Sequence, residues 1–373
     1  MTIPRVAGQK RILQSGLIGA AIFAAAAAIL PILFAALGIF GSGSGPRTAF
    51  ASAPAGQYAV VSQTHGTSDT VAIVPADGSA APRTVATVSH LDGFGVKGAV
   101  SPNGQRVAIV AATAGTPANP SGSLLVVELA SGKLTTLIGN IDPQQTPVWA
   151  PESDRIVVTR DEGAGPLTVQ FLSVPVDGGA PSTIDAVESV LGAYSVGFDK
   201  QGRFIDVAID GTGSTVRRAR AVLQRISTQV TRDWQLSPDG TQLAYIESSL
   251  EGGLHYSGHT VTLDGASNVS LEAQTTQDSQ QLGVAWQPGA AQPTFGEDPG
   301  SATEAAPLRG EAQTTGSGFN VPLGYSRDGS ALAVQHWSGQ GFADAGTPTL
   351  ELIHGGESAP IDGYTRFLGW TAR

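Results

Sequence analysis

The chain has 373 residues, with 48 glycines and 23 prolines, only 14% charged residues and no cysteine. This composition favours many short strands and turns, and the missing thiols exclude disulfides, thiolate catalysis, thiolate metal sites and a lipid anchor on cysteine. The formal charge is -10, yet residues 1–50 hold four bases (Arg5, Lys10, Arg11, Arg47) and no acid; the remaining body, 17 bases against 31 acids, repels phosphate backbones and argues against a nucleic-acid partner.

Residues 1–11 form a predicted cytoplasmic N-terminus. Ile12–Phe40, "ILQSGLIGAAIFAAAAAILPILFAALGIF", carries no charge, and its 29 residues as a helix reach about 43 Å, enough to span a ~30 Å hydrocarbon core as a transmembrane helix. Pro31 kinks such a helix, but Ile12–Leu30 alone rises about 28 Å. Three bases precede the span and Arg47 follows it, which puts the N-terminus in the cytoplasm and the rest outside. Residues 41–52, with "GSGSGP", read as a flexible linker. The competing reading is a signal peptide cleaved near Ala51–Ala53, where "AFASA" offers small residues, although a signal's apolar core runs only ~7–15 residues. Both readings export the same body, residues 53–373.

That body is repetitive. "LSPDGTQLAYI" from Leu236 aligns with "VSPNGQRVAIV" from Val100 and "YSRDGSALAVQ" from Tyr325, and weaker copies start at Trp149, Phe198 and Trp286. Each copy is an apolar residue, a polar turn closed by glycine, then an apolar strand. The turn residues Asn103 with Gly104, Asp239 with Gly240, and Asp328 with Gly329 are read as structural: Asp and Asn accept backbone N–H groups two residues on, and glycine takes the positive φ. Between the copies lie hairpin signals such as "VPADGSAAPRTV" (Val74–Val85) and "VPVDGGAPSTI" (Val174–Ile184). The two motifs together make a unit of four short strands, a propeller blade, so the predicted fold is an all-β β-propeller.

The chain ends supply one more blade. "FLGWTAR" stops where a turn should begin and "APAGQYAVVSQ" resumes the strand after it, so Trp370 and Tyr58 are expected to meet where the ring closes. Residues 57–373 give about 45 residues per blade for seven blades and about 53 for six, against a usual ~40–45, which favours seven. The segment 288–323 looks degraded and loop-like; without strands there the ring has six blades.

The "SPDG…LAY" copies resemble the TolB-type β-propeller repeats of bacterial envelope proteins, which also occur in the propellers of prolyl-oligopeptidase-like enzymes. The resemblance covers roughly residues 53–373 and implies a periplasmic or extracellular binding propeller, without the α/β domain that precedes the propeller in TolB.

Catalytic motifs are scarce. The sequence has no Gly-x-Ser-x-Gly elbow, no phosphate-binding Gly-x-x-x-x-Gly-Lys loop and no His-Glu-x-x-His. "HYSGH" makes His255 and His259 the metal candidates, read as flanking a Ser-Gly turn with no third ligand, so surface or packing histidines are the simpler reading. Arg217, Arg218, Arg220 and Arg225 are binding candidates for an acidic partner, against the simpler reading of a solvated outer strand. Trp337, in "HWSGQGF", is either a contact tip or a core residue. The expectation is a non-enzymatic binding or scaffold module for a protein, a membrane complex or an envelope polymer, needing no cofactor or metal. The alternatives are a hydrolase or lyase with its site in the central channel, and a small-ligand sensor.

Overall fold

A computed structural model of the chain describes residues 55–162, 168–189, 191–250, 253–263, 271–272, 280–298 and 318–373. The chain divides into Met1–Pro46 and Arg47–Arg373. The predicted anchor Ile12–Phe40, the linker 41–52 and the cleavage region Ala51–Ala53 lie outside the described residues. Among those residues no helix is long and apolar enough to cross a membrane.

The described residues form β-sheets arranged as blades. Blade 1 begins with β1 (Gln57–His65), β2 (Ser68–Pro75) and β3 (Arg83–Ser89). Blade 2 is β4 (Lys97–Val100), β5 (Arg106–Thr116), β6 (Asn119–Glu128) and β7 (Leu134–Ile141). Blade 3 is β8 (Val148–Trp149), β9 (Arg155–Glu162), β10 (Thr168–Pro175) and β11 (Ser182–Glu188). Blade 4 is β12 (Gly192–Phe198), β13 (Phe204–Asp210), β14 (Gly213–Arg218) and β15 (Ala221–Ser227). Blade 5 is β16 (Val230–Leu236), β17 (Gln242–Ser249), β18 (His255–Thr262) and β19 (Leu271–Glu272). Blade 6 contributes β20 (Gln281–Ala285) and β21 (Thr294–Glu297). Blade 7 is β22 (Phe319–Tyr325), β23 (Ala331–Trp337), β24 (Pro348–His354) and β25 (Glu357–Pro360), and β26 (Arg366–Ala372) returns to complete blade 1.

Six sheets have four strands and one, β20–β21, has two among the described residues. The first strands β26, β4, β8, β12, β16, β20 and β22 each touch the next, and β22 touches β26, so they form the closed inner wall of a seven-membered ring. The segment 288–323, read as loop-like, therefore supplies β21 and the start of β22; residues 299–317 lie outside the described residues.

Closure is antiparallel pairing of β1 with β26, with Ala59 opposite Trp370 and Tyr58 opposite Thr371. Gly56 and Arg373 exchange both backbone hydrogen bonds, at 3.1 and 3.0 Å. Arg373 is thus tied to the start of the ring, leaving β1 no open inner edge.

Blades stack because their middle strands are apolar on both faces. Along β5, Val107, Ile109 and Ala111 join the core shared with blade 1, while Ala108 and Val110 join the core shared with blade 3. Side chains alternate across a strand, so a continuous run such as "VAIVAA" fills two inter-blade cores at once. Each fully buried Val or Ile contributes roughly 1.5–3 kcal/mol, and a one-residue slip exchanges the two faces.

The polar turns of the repeat all lie on one face, called lower here. In the best-matching copy, Asp239 Oδ1 accepts from Ser237 Oγ at 2.6 Å, Thr241 N at 3.1 Å and Thr241 Oγ1 at 2.8 Å. Asp328 repeats the set with Ser326 and Ser330, which draws its carboxyl down to about 2. Asn103 accepts from Ser101 Oγ and Gln105 N. Gly240 has φ 65°, and a Cβ there would lie 2.7 Å from Lys200 N of the preceding blade, so this glycine also lets adjacent turns touch.

Candidate functional site at the upper channel mouth

The opposite, upper face carries the connections that lead into the inner strands. Five side chains from four consecutive blades gather there around the channel: Arg366 of β26, Lys97 of β4, Asp142 between β7 and β8, Asp161 of β9, and Tyr194 of β12. Each influences the charge of another. Burial lowers the Lys97 ammonium, the Arg366 guanidinium lowers it further, and Asp142 opposes both. Burial likewise raises Asp142 against the pull of Gln144, Gln145, Thr159 and Lys97. Asp161 is raised by burial and then by the Asp142 charge, and Tyr194 is raised by burial and by both carboxylates. Lys97 remains exposed to water.

The backbone fixes this group. Asp142 N donates to Thr159 O at 2.8 Å, which holds Asp142 beside β9, and Asp161 lies about 7 Å further along the same face of that strand. Gln145 Nε2 donates to Ala193 O at 2.9 Å, tying the same connection to the residue before Tyr194. On the cationic side, Val96 is held from both ends: its N–H donates to Asp69 Oδ2 at 3.1 Å and its carbonyl accepts from Arg366 Nη1 at 2.9 Å. The Arg366 guanidinium lies over Gly95, where a Cβ would sit 2.3 Å from Nη2. Behind Val96, His90 Nε2 meets Asp69 Oδ1 at 3.1 Å with both side chains at 0% exposure, Nδ1 meets Leu91 O at 2.8 Å, and Ser62 Oγ donates to Asp69. Both ring nitrogens thus lie within hydrogen-bond distance of an oxygen.

The other side of the upper face is aromatic and apolar. Tyr194 stacks on Trp234 at 4.9 Å, Arg232 lies over the Tyr256 ring at 6.0 Å, and Phe342 meets Tyr256 and Phe319. Leu191, Leu250 and Leu254 stand on the upper connections of blades 4 and 5, exposed by 44%, 67% and 54%.

None of the residues singled out from the sequence is among the five side chains at the channel mouth. Trp337 ends β23 on the upper face, half-buried and stacked on Phe319 at 6.4 Å. The arginine run passes from β14 through a turn into the outer strand β15, where Arg225 is exposed, and its first three arginines are engaged rather than a free patch. Arg217, 11% exposed, bonds Asp185 of blade 3 at 2.7 Å and Asp206 at 3.2 Å. Arg218 donates to Leu263 O of blade 5 and Arg220 to Ile184 O of blade 3, so both clamp neighbouring blades. Arg225 bonds locally to Ser227 O. His255 and His259 lie on the single strand β18 rather than around a turn. Four residues of strand separate them by about 13 Å, too far to share an ion. No cluster of three metal-ligating side chains occurs among the described residues.

No family model matches the sequence, and no curated protein matches it. Among solved structures the chain is similar to TolB from Acinetobacter baumannii, at 14% identity and a TM-score of 0.52, over 100% of this chain and 75% of that one. It is also similar to a structure from a study of two prolyl endopeptidases, at 14% identity and a TM-score of 0.56. That match covers 83% of this chain and 48% of the other, so this chain spans about half of that structure's length. The ring is a TolB-like β-propeller, and at such identity the likeness concerns the fold alone.

Proposed function

We propose that the chain is a membrane-anchored, extracytoplasmic binding propeller that holds a protein partner on its upper face. The observation that carries this reading is the upper face of blades 4 and 5, whose connections expose Leu191, Leu250 and Leu254 and whose strands carry Trp234, Tyr256 and Arg232. Aromatic residues and arginine beside exposed apolar side chains are the composition of interface hot spots, and such a patch costs solubility unless something covers it. The charge-free Ile12–Phe40 segment, flanked by bases on its N-terminal side, supports the anchored orientation. Partners recovered with the detergent-solubilised full chain are to be compared with those of the Leu250→Asp, Leu254→Asp double variant. A partner identified with the parent chain should fall by about tenfold or more with the variant. Retention of the same partner by a folded variant would remove this reading.

One observation favours a second reading. Asp142 and Asp161 are both raised, and the Asp142 charge acts on Asp161 from a neighbouring element, as paired carboxylates of a hydrolase or lyase do. Turnover of a glycan or peptide by the parent chain, abolished by Asp142→Asn, would establish that reading in place of the first.

A further inference from the structure

A cavity of about 260 Å³ lies between blades 3 and 4 among their lower turns. Much of its wall is apolar, with Val157 and Ile184 from blade 3 and Phe198 and Phe204 from blade 4, whose rings meet edge to face at 5.6 Å. Two guanidinium groups line the same space, Arg155 from β9 and Arg220 from the β14–β15 turn. Neither is used up by the fold. Arg220 donates through Nε to Ile184 O at 2.6 Å, and its two Nη groups have no partner among the described residues. Arg155 has only the 3.4 Å contact of its Nε with Asp154, an ion pair at least half exposed on both sides and therefore worth little. The carboxylate on the wall does not compete for them, because Asp185 Oδ2 accepts from Arg217 at 2.7 Å and Oδ1 from Ala186 N at 2.8 Å.

The turn that presents Arg220 is built against its own preference. Ala219 and Arg220 are the whole loop between Arg218 and its partner Ala221, and both take positive φ, 47° and 74°. Two-residue hairpins of this kind favour glycine and asparagine, and the same hairpin in blade 7 is Gly355 and Gly356, at φ 61° and 87°. Backbone strain that places an arginine at a cavity points to function rather than to folding.

We propose that this cavity binds a small free aromatic monocarboxylate, its ring against Phe198, Phe204 and Ile184 and its carboxylate on Arg220 and Arg155. The size fits, since a cavity of about 150 Å³ already takes up benzene and the further space admits a carboxylate. Guanidinium forks match a planar carboxylate, and a ring inserted beside two phenylalanines gains aromatic contact. A phosphate gains nothing from the apolar wall, and an amine meets two cations. The inference stands apart from partner docking, because Leu191, Leu250 and Leu254 stand on the opposite face.

The test is titration calorimetry on the detergent-solubilised full chain with benzoate and phenylacetate, beside benzamide, phenylacetamide, acetate, inorganic phosphate and a short peptide ending in a free Phe carboxylate. At least one ring carboxylate should bind, and its carboxamide, which keeps the shape and loses the charge, should bind about tenfold or more weakly. Acetate, which lacks the ring, should fall by a similar factor. Arg155→Gln and Arg220→Gly should each weaken the carboxylate by about tenfold and narrow its gap to the carboxamide, a split that a role confined to holding blades together does not produce. Glycine suits the turn, so Arg220→Gly is expected to fold; if it does not, Arg155→Gln, at a half-exposed side chain, and the carboxamide comparison on the parent chain decide. The proposal is overturned if neither ring carboxylate binds, if the carboxamides or phosphate bind as tightly, if only the peptide binds, or if the folded variants keep the parent's affinity. Retention of a protein partner by a chain that ignores both ring carboxylates would leave the docking reading standing and remove only this one.

Discussion

The indole N–H of Trp370 donates to the backbone carbonyl of Gly324 at 2.7 Å, across the seam between the closing blade and blade 7. The same bond recurs where Trp149 donates to Ala99 O at 2.8 Å and Trp286 to Gln235 O at 3.1 Å. In each case the tryptophan lies at or near the end of an inner strand and reaches the inner strand of the preceding blade. Trp370→Phe keeps most of the ring contact and deletes one hydrogen bond, so it should lower stability by about 1 kcal/mol in urea unfolding. Trp370→Ala also opens a cavity at the closure and should cost about 3–5 kcal/mol.

The buried His90–Asp69 pair supports the residue before Lys97. Asp69→Ala strips partners from His90, Ser62 and Val96 N together and should destabilise by about 3–5 kcal/mol, as breaking a buried pair does. Hydrogen exchange should show the loss first at residues 90–97, because their backbone hangs on this carboxylate.

Asp206 gives stability a pH dependence. One guanidinium, Arg217, serves both Asp185 and Asp206, and burial pushes the Asp206 carboxyl up to about 7, with Arg217 opposing and Asp185 adding to the shift. The folded chain therefore binds a proton here that the unfolded chain, near 3.8, has already released. The contribution is fully present below about pH 4, declines as pH rises through about 7, and then levels off. Its full span is about 4 kcal/mol, from roughly three pK units at 1.36 kcal/mol each. Unfolding free energies measured across this window should show the decline in the parent chain and a flatter profile in Asp206→Asn.

Gly240→Ala tests the turn. It forces a side chain into φ 65° and drives a Cβ against Lys200 N and Asp199 C of the preceding blade. The expected loss is about 1–3 kcal/mol in urea unfolding, whereas the exposed Gly178→Ala turn, which meets nothing within 4 Å, should lose only the smaller backbone cost.

The ring, its closure and its turns were legible in the sequence because each rests on short local patterns that repeat. The strands that carry Tyr58 and Trp370 could be paired from the chain ends alone, although Trp370 faces Ala59 and Tyr58 faces Thr371, and the turn acids declared their role by being replaceable from copy to copy. The channel mouth was harder, since each of its residues occurs once and its neighbours come from other blades. A signal was nonetheless present: Lys97 stands four residues before Ser101, while Tyr194, Arg232 and Arg366 stand five before Asp199, Ser237 and Thr371. The extra residue accompanies a register irregularity in the pairing of β12, β16 and β26, which the pairing of β4 lacks. Asp142 and Asp161 offered no such offset, because they lie on a connection and on a second strand. The arginine run was misleading for a related reason: the acids that engage Arg217 lie 11 and 32 residues away in sequence.

The central claim, that the upper face of blades 4 and 5 is where a partner is held, is tested most directly by a photo-crosslinking profile around the ring. Crosslinkers placed singly at Leu250 and Leu254 on the upper face, at Val222 on the outer strand of blade 4, and at Asp239 on the lower face sample its distinct surfaces. Val222 is the fair control, since at 70% exposure it is as open as Leu250 at 67%. One adduct formed from Leu250 and Leu254 and missing from Val222 and Asp239 is the expected result. An adduct of equal yield from all four positions, or one confined to Asp239, would contradict it.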